Sequence, residues 1–375
     1  MWDIAVIGNR SMGSSRLRGG SERVGTVMSL VTRCFAVLLV IAGICCPGMI
    51  WAAEKVEDSS TFSVRFENDL FTNTDRHYTN GVKLSWTSPD LTSYAENKDL
   101  PQWSHGLIRR LPYINEPDQI RNVTFSLGQN MYTPSDISRT DLMEQDRPYA
   151  GWTYGGAAFH SKSSNRLDTI EIQLGMVGPA SLAEQSQKFI HDTRGLTHPM
   201  GWHHQLKNEP GLALIYERSW RSLEYNNESG FGFDMIPHAG VTLGNVYTYG
   251  NAGVEARVGY NVPRDFGVSM IRPAGETGAP ADSRDSRING EGTFSIHLFA
   301  SVNGKAVARD IFLDGNTFTT SHSVDKKHFV ADLAGGVCIT VKGFKISYAQ
   351  VLRTEEYHGQ ASDHQFGSIA FSFTY

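Results

Sequence analysis

The stretch 366–375, FGSIAFSFTY, closes the chain and decides how the rest of it is read. Ile369, Phe371, Phe373 and Tyr375 occupy every second position, with Ser368, Ala370, Ser372 and Thr374 between them. A period of two places the first set on one face of a β-strand and the second on the other. The same alternation recurs upstream, where Phe62, Val64 and Phe66 alternate with Ser63, Arg65 and Glu67. Val82, Leu84 and Trp86 likewise alternate with Lys83 and Ser85. Further runs lie at about 121–131, 149–160, 166–177, 211–221, 231–243, 249–261, 292–302, 328–341 and 343–352. With residues 305–313 taken as a strand extension beyond the membrane, the pattern predicts about twelve strands. An even number suits a barrel with both termini in the periplasm. The expected fold is therefore all-β: a transmembrane antiparallel β-barrel.

Composition agrees. The 375 residues are 40% hydrophobic and 19% charged, too polar for a helical membrane bundle and too apolar for a disordered chain. Residues 35–52 (FAVLLVIAGICCPGMIWA) carry no charge, follow Arg33 and end in small residues, the pattern of a secretory signal. Residues 1–53 are expected to be an extended signal peptide with Met28 as the true start, and 54–375 the barrel domain. A transmembrane anchor is the alternative, weakened by Pro47 inside the run. Cys34, Cys45 and Cys46 leave with the signal, so Cys338 alone remains and no intrachain disulfide holds the mature fold. The remaining chain has 29 basic and 37 acidic side chains, a balance that excludes nucleic acid as a partner. The aromatic last residue resembles the signal by which the barrel-assembly machinery recognises outer-membrane barrels. The expected state is a monomer in the outer membrane of a Gram-negative bacterium.

Three segments interrupt the alternation. Residues 89–120 form a long connection with room for a short amphipathic helix. Residues 180–193 predict a helix in an extracellular loop, with Leu182, Ser186, Phe189 and Ile190 on one side. Residues 263–289, rich in Gly, Pro, Asp and Arg, read as an exposed or mobile loop. Strand parity then gathers polar residues at the extracellular rim. Glu67, Asn68 and Asp69 end the first strand, and Asp75, Arg76, Tyr78, Thr79 and Asn80 begin the second. The third strand runs into Tyr132, Asp136, Arg139, Asp146 and Arg147, and the fifth into His191, His203 and His204.

Together these groups support ester hydrolysis. An imidazole takes a proton from the attacking water, and an oxygen-bound Ca²⁺ polarises the carbonyl. No Gly-x-Ser-x-Gly elbow suggests a serine triad. Each residue also has a structural reading. Asn68-Asp69 suits a turn, Thr79 a strand, Arg139 a solvated loop charge, and His191 a helix C-terminus. Asp146 and Arg147 suit an ion pair tying loop to rim, and Trp86, Trp152, Trp202, Trp220 and Tyr375 suit interface girdles.

The blocks FENDLFTNTDRHYTNG (66–81), GQNMYTPSD (128–136), DRPYAGW (146–152), GMVGPASLAEQSQKFIH (175–191) and GWHHQLKNEPG (201–211) resemble the lipid A 3′-O-deacylase family of outer-membrane barrels. That resemblance implies a twelve-stranded barrel that removes the 3′-acyloxyacyl group of lipid A with Ca²⁺. It makes His191 the general base and Asp69 the Ca²⁺ ligand, with Asn68 and Thr79 orienting the oxyanion or the water. The family's loop Lys falls on Arg139, which would grip a lipid phosphate, with Tyr132 as a further substrate contact. The family's Glu shortly after the His has no counterpart here, where residues 195–199 read GLTHP. The contrasting expectation is a non-catalytic barrel, either a small pore or a structural protein that binds lipopolysaccharide at its polar rim. A soluble periplasmic β protein is a third reading.

Overall fold

The computed structural model describes residues 59–69, 77–96, 100–268, 270–281, 285, 287 and 294–375. The expected signal peptide with Met28, and Asp75 and Arg76 at the second strand, lie outside them. The strands are β1 (Thr61–Asn68), β2 (His77–Thr87), β3 (Ile120–Thr133), β4 (Ala150–Lys162), β5 (Arg166–Val177), β6 (Glu209–Trp220) and β7 (Ser222–Asn226). They continue as β8 (Phe231–Gly244), β9 (Tyr247–Tyr260), β10 (Phe294–Asp310), β11 (Phe329–Val341), β12 (Phe344–Arg353) and β13 (His364–Thr374). Helices α1 (Gln102–Ile108), α2 (Ala183–Arg194) and α3 (Ile311–Asp314) lie in the connections.

Every strand pairs antiparallel with its neighbours, β1 pairs with β13, and β6 pairs with β8 to close the ring. The short β7 carries the β6 position past Arg221 and pairs with the first half of β8. The closed barrel therefore has twelve wall positions, one for each predicted run. β10 extends to Asp310, so the stretch from 305 is a strand extension, as its alternation suggests, ending in α3. Ser60 and Tyr375 exchange two backbone hydrogen bonds, which brings both ends of the described chain to one rim, here the terminal rim. The opposite one is the distal rim.

Alternation fixes which residues face where. Along β1, Ser63, Arg65 and Glu67 are buried in the lumen. On the outer face Leu127, Leu174 and Leu298 are 58–60% exposed, a surface suited to hydrocarbon rather than water.

The lumen is filled by the segment that follows β9, contrary to the exposed or mobile loop its composition suggests. Glu276 of that segment accepts from Arg65 at 2.7 Å and lies 3.1 Å from Lys83. Arg272 donates to Glu217 at 2.8 Å, and the backbone N–H groups of Ile271 and Ala274 donate to Glu67 and Glu171. Nearer the terminal rim, Asp265 bonds Arg257, Arg287 and Lys345. A Gly- and Pro-rich stretch that carries charge fails as a hydrophobic core but suits a lumen walled by opposite charges. The barrel is a plugged one, with a lumen cavity of about 80 Å³ bordered by Tyr132, Tyr247 and Arg353.

Candidate active site

At the distal ends of β1 and β2 the polar residues lie on the outside of the wall. Glu67 faces the lumen, where it accepts from Ile271, so Asn68 faces outward. A register shift between Tyr78 and Asn80 leaves Tyr78 in the lumen core and makes Thr79 the bulged residue. Asn68 Nδ2 donates to the Thr79 carbonyl at 3.1 Å, and the Thr79 hydroxyl lies 2.7 Å from that of Thr133. Asp69 follows directly and is fully buried. Asn80 stands opposite Asn68 in the ladder and is 3% exposed. Among the described residues neither its amide oxygen nor its amide nitrogen has a hydrogen-bond partner. An unmet buried amide costs about 1–3 kcal/mol, so it marks a place where a polar ligand restores the balance. Sequence reasoning assigned Asn80 no role, because side-chain satisfaction leaves no trace in residue order.

Helix α2 covers the neighbouring strands from outside. Its buried residues Ala183, Gln187 and His191 are spaced by four and share one face. Ala183 packs with Met131, Tyr149 and Trp202. Gly151 of β4 is bare at the contact, since a Cβ there would lie 2.3 Å from Ala183 Cβ and 2.1 Å from Ser181 Oγ. Leu182 and Phe189, which share one side as the sequence predicts, are 58% and 71% exposed, while Gln187 and His191 are buried. A helix on the outer face of a membrane barrel turns its apolar side to lipid, which inverts the usual rule. Trp202 Nε1 donates to Gln187 Oε1 at 2.7 Å. His191 Nδ1 lies 2.5 Å from the Thr197 carbonyl. A carbonyl only accepts, so the neutral ring carries its proton on Nδ1 and its lone pair on Nε2.

The other expected residues are placed differently. Arg139 is exposed in the β3–β4 loop and paired with Asp141, whose carboxyl it holds below the usual range. Met200 donates its N–H to the Ile137 carbonyl, so this loop is joined to the one that carries α2. Tyr132 faces the lumen, stacked on Phe312 at 4.1 Å and bonded to Tyr247, on the opposite side of the wall from Asn68 and Thr79. Among the described residues the Arg147 guanidinium forms no ion pair with Asp146, although the Arg147 backbone N–H donates to Asp146 Oδ1 at 2.8 Å. Asp146 accepts from Tyr357 and Arg147 lies 3.2 Å from Glu356, so both tie the β3–β4 loop to the β12–β13 loop. Trp152 and Trp202 are fully buried and cannot serve as girdle residues, whereas Trp220 and Tyr375 are exposed as a girdle requires.

Among the described residues no three His, Cys, Asp or Glu side chains converge on a metal position. The oxygen groups at the wall are the Asp69 carboxylate and the Asn80 amide, both of the hard type that a calcium ion prefers.

The model of the family described as outer membrane protein LpxR matches residues 34–375. The structure resembles LpxR from Salmonella typhimurium with a TM-score of 0.66 at 16% identity, covering 84% of this chain and 99% of that one. The β domain of the Bordetella autotransporter BrkA gives 0.39 at 7% identity, over 85% of this chain and 98% of that one. No curated protein matches the chain. Only the first likeness bears on the fold, and it agrees with the closed twelve-stranded ring. Barrel, lipid-facing wall and family match converge, and the chain belongs to the LpxR family of outer membrane proteins.

Proposed function

We propose that this protein hydrolyses an acyl ester of lipid A, the 3′-acyloxyacyl ester, in the outer leaflet of the outer membrane. The observation that carries the proposal is a helix laid against the outside of the wall, beside the strands whose distal ends bear outward polar residues. Asn68, Thr79 and the unpartnered Asn80 face outward, and α2 turns Gln187 and His191 to the wall and Leu182 and Phe189 to the lipid. A site so placed meets a lipid from the side, without extracting it. The family match and the likeness to LpxR from Salmonella typhimurium support the same reading.

In the proposed reaction His191 Nε2 removes a proton from water as the water oxygen bonds to the ester carbonyl carbon. The ester C–O bond then breaks, and the imidazolium returns the proton to the departing sugar oxygen. Asn68 and Thr79 hold the water or the oxyanion, and Asn80 donates from its amide nitrogen. Asp69, with the Asn80 amide oxygen, would hold Ca²⁺, which when bound supplies positive charge beside the ester carbonyl. Arg139 would exchange Asp141 for a lipid phosphate. Tyr132, on the lumen side, is given a packing role. Residues 1–53 would be removed as a signal peptide, and the mature barrel would assemble through the barrel-assembly machinery and act as a monomer. The plug favours this enzyme over a small pore. The test is release of the acyloxyacyl acid from purified lipid A in detergent by wild type, with and without chelator, and by H191A. Loss of release in H191A with normal heat-modifiable migration supports the proposal. Equal release by both proteins removes His191 from it.

A further inference from the structure

At the terminal rim a second polar feature lies outside the barrel. The connection between β2 and β3 packs Tyr94, Leu100, Ile108 and Ile114 against Val123 of β3 and Phe159 of β4, both outward-facing residues. Helix α1 therefore rests on the lipid side of the wall. It has three working faces. Ile108 points to the barrel, while Trp103 and Leu107, four apart, are 74% and 58% exposed. His105 and Arg109, also four apart, line a pocket of about 230 Å³ with Ser93, Tyr94, Asn115 and Arg121.

The charge in this pocket is unbalanced. Arg121 is 9% exposed, and its guanidinium donates to the carbonyls of Thr92, Glu116 and Gln119. Among the described residues it has no carboxylate partner, whereas the buried Arg65, Arg147, Arg221 and Arg257 each have one. Among the described residues Arg109 forms no ion pair and the buried His105 Nε2 has no partner. A buried cation without a counter-ion is expensive in a medium of low polarity, and an anion relieves it.

We infer that this pocket binds the phosphate of a glycerophospholipid from the periplasmic leaflet. Arg109, Arg121 and His105 would bond the phosphate oxygens, while the acyl chains run along Trp103 and Leu107. Two features select a lipid over a soluble anion. The exposed Trp and Leu adjoin the pocket on an outer wall, and Trp is the side chain that settles at a membrane interface. The pocket also lies at the rim that carries both ends of the described chain, the periplasmic one in an outer-membrane barrel, and not at the distal rim.

The test is native mass spectrometry of the membrane-extracted protein in mild detergent, titrated with phosphatidylglycerol or with inorganic phosphate. Wild type is expected to retain a single phosphatidylglycerol. The double variant His105→Gln, Arg109→Gln, whose side chains lie outside the barrel ladder, should bind it at least about tenfold more weakly, since hydrogen bonds to charged groups are the strong ones. Heat-modifiable migration checks that the variant is folded. Quenching of Trp103 by brominated phosphatidylglycerol, absent in Trp103→Phe, should follow the same titration. Equal binding by wild type and double variant overturns the inference. So does displacement of the lipid by inorganic phosphate at matched concentration, which would make the pocket a simple anion site.

Discussion

Removing the carboxylate of Glu276 should release the plug without breaking the barrel. Three groups depend on that carboxylate: Arg65 through both of its terminal nitrogens, Lys83 at 3.1 Å, and the Ser85 hydroxyl at 3.0 Å. All three charged side chains are at most 5% exposed. In E276A, Lys83 keeps Glu171 at 3.4 Å, but Arg65 keeps only Ser85 Oγ at 3.1 Å. One buried cation is then uncompensated, a loss of about 3–5 kcal/mol. At about 1.4 kcal/mol per factor of ten, the undocked fraction of the plug rises by roughly two to three and a half orders of magnitude. E276Q should fall between, since an amide fills the space and keeps hydrogen bonds but not the charge. Hydrogen exchange reads this directly, because the Ile271 and Ala274 amides are bonded to Glu67 and Glu171 only while the segment is seated. Planar bilayers give a second readout, with wild type silent and E276A opening intermittently. Wild-type exchange rates in both variants and silent bilayers would show that this cluster does not hold the segment.

Three further outcomes are expected. G151V should push α2 from the wall, because the added carbon meets Ser181 and Ala183 at 2.1 and 2.3 Å; hydrolysis should fall while the barrel still migrates as folded. N80A removes a buried amide without a partner among the described residues, so stability in urea should stay level or rise slightly while turnover drops, whereas a loss of stability with normal turnover would make Asn80 structural. F189D places a charge on the exposed apolar side of α2, so activity on lipid A in vesicles should suffer more than activity in detergent micelles, and equal losses would remove the membrane contact from the account.

Much of this was legible in the sequence. A barrel wall has lipid on one side and a polar lumen on the other, so period-two alternation survives in every strand, and β1 and β13 could be read almost to their ends. Parity then places the ends of β1 and β2 beside each other, as the Asn68–Thr79 bond bears out. What stayed hidden depends on which solvent a segment meets. The plug reads as a loop because its partners, Arg65, Lys83, Glu171 and Glu217, are scattered over the chain, although charges on the inner face of strands are a signal that something charged must face them. Helix α2 was legible as a helix, but the side it buries was not, because the side bearing Leu182 and Phe189 is the exposed one. Tyr132 and Trp152 stand one residue off the outward set, and a single register step sends a side chain into the lumen.

Mass spectrometry of lipid A from Gram-negative cells that express the wild-type chain, the H191A variant or neither decides whether the protein is a deacylase. Wild type should convert part of the lipid A to a species lighter by the acyloxyacyl group at the 3′ position. H191A, present in the outer membrane in equal amount, should leave lipid A as in cells without the protein, since loss of a general base lowers the rate by roughly 10²–10⁴-fold. An unchanged lipid A profile in cells and in detergent with added Ca²⁺ would contradict the account, leaving a plugged barrel that binds lipopolysaccharide without cutting it.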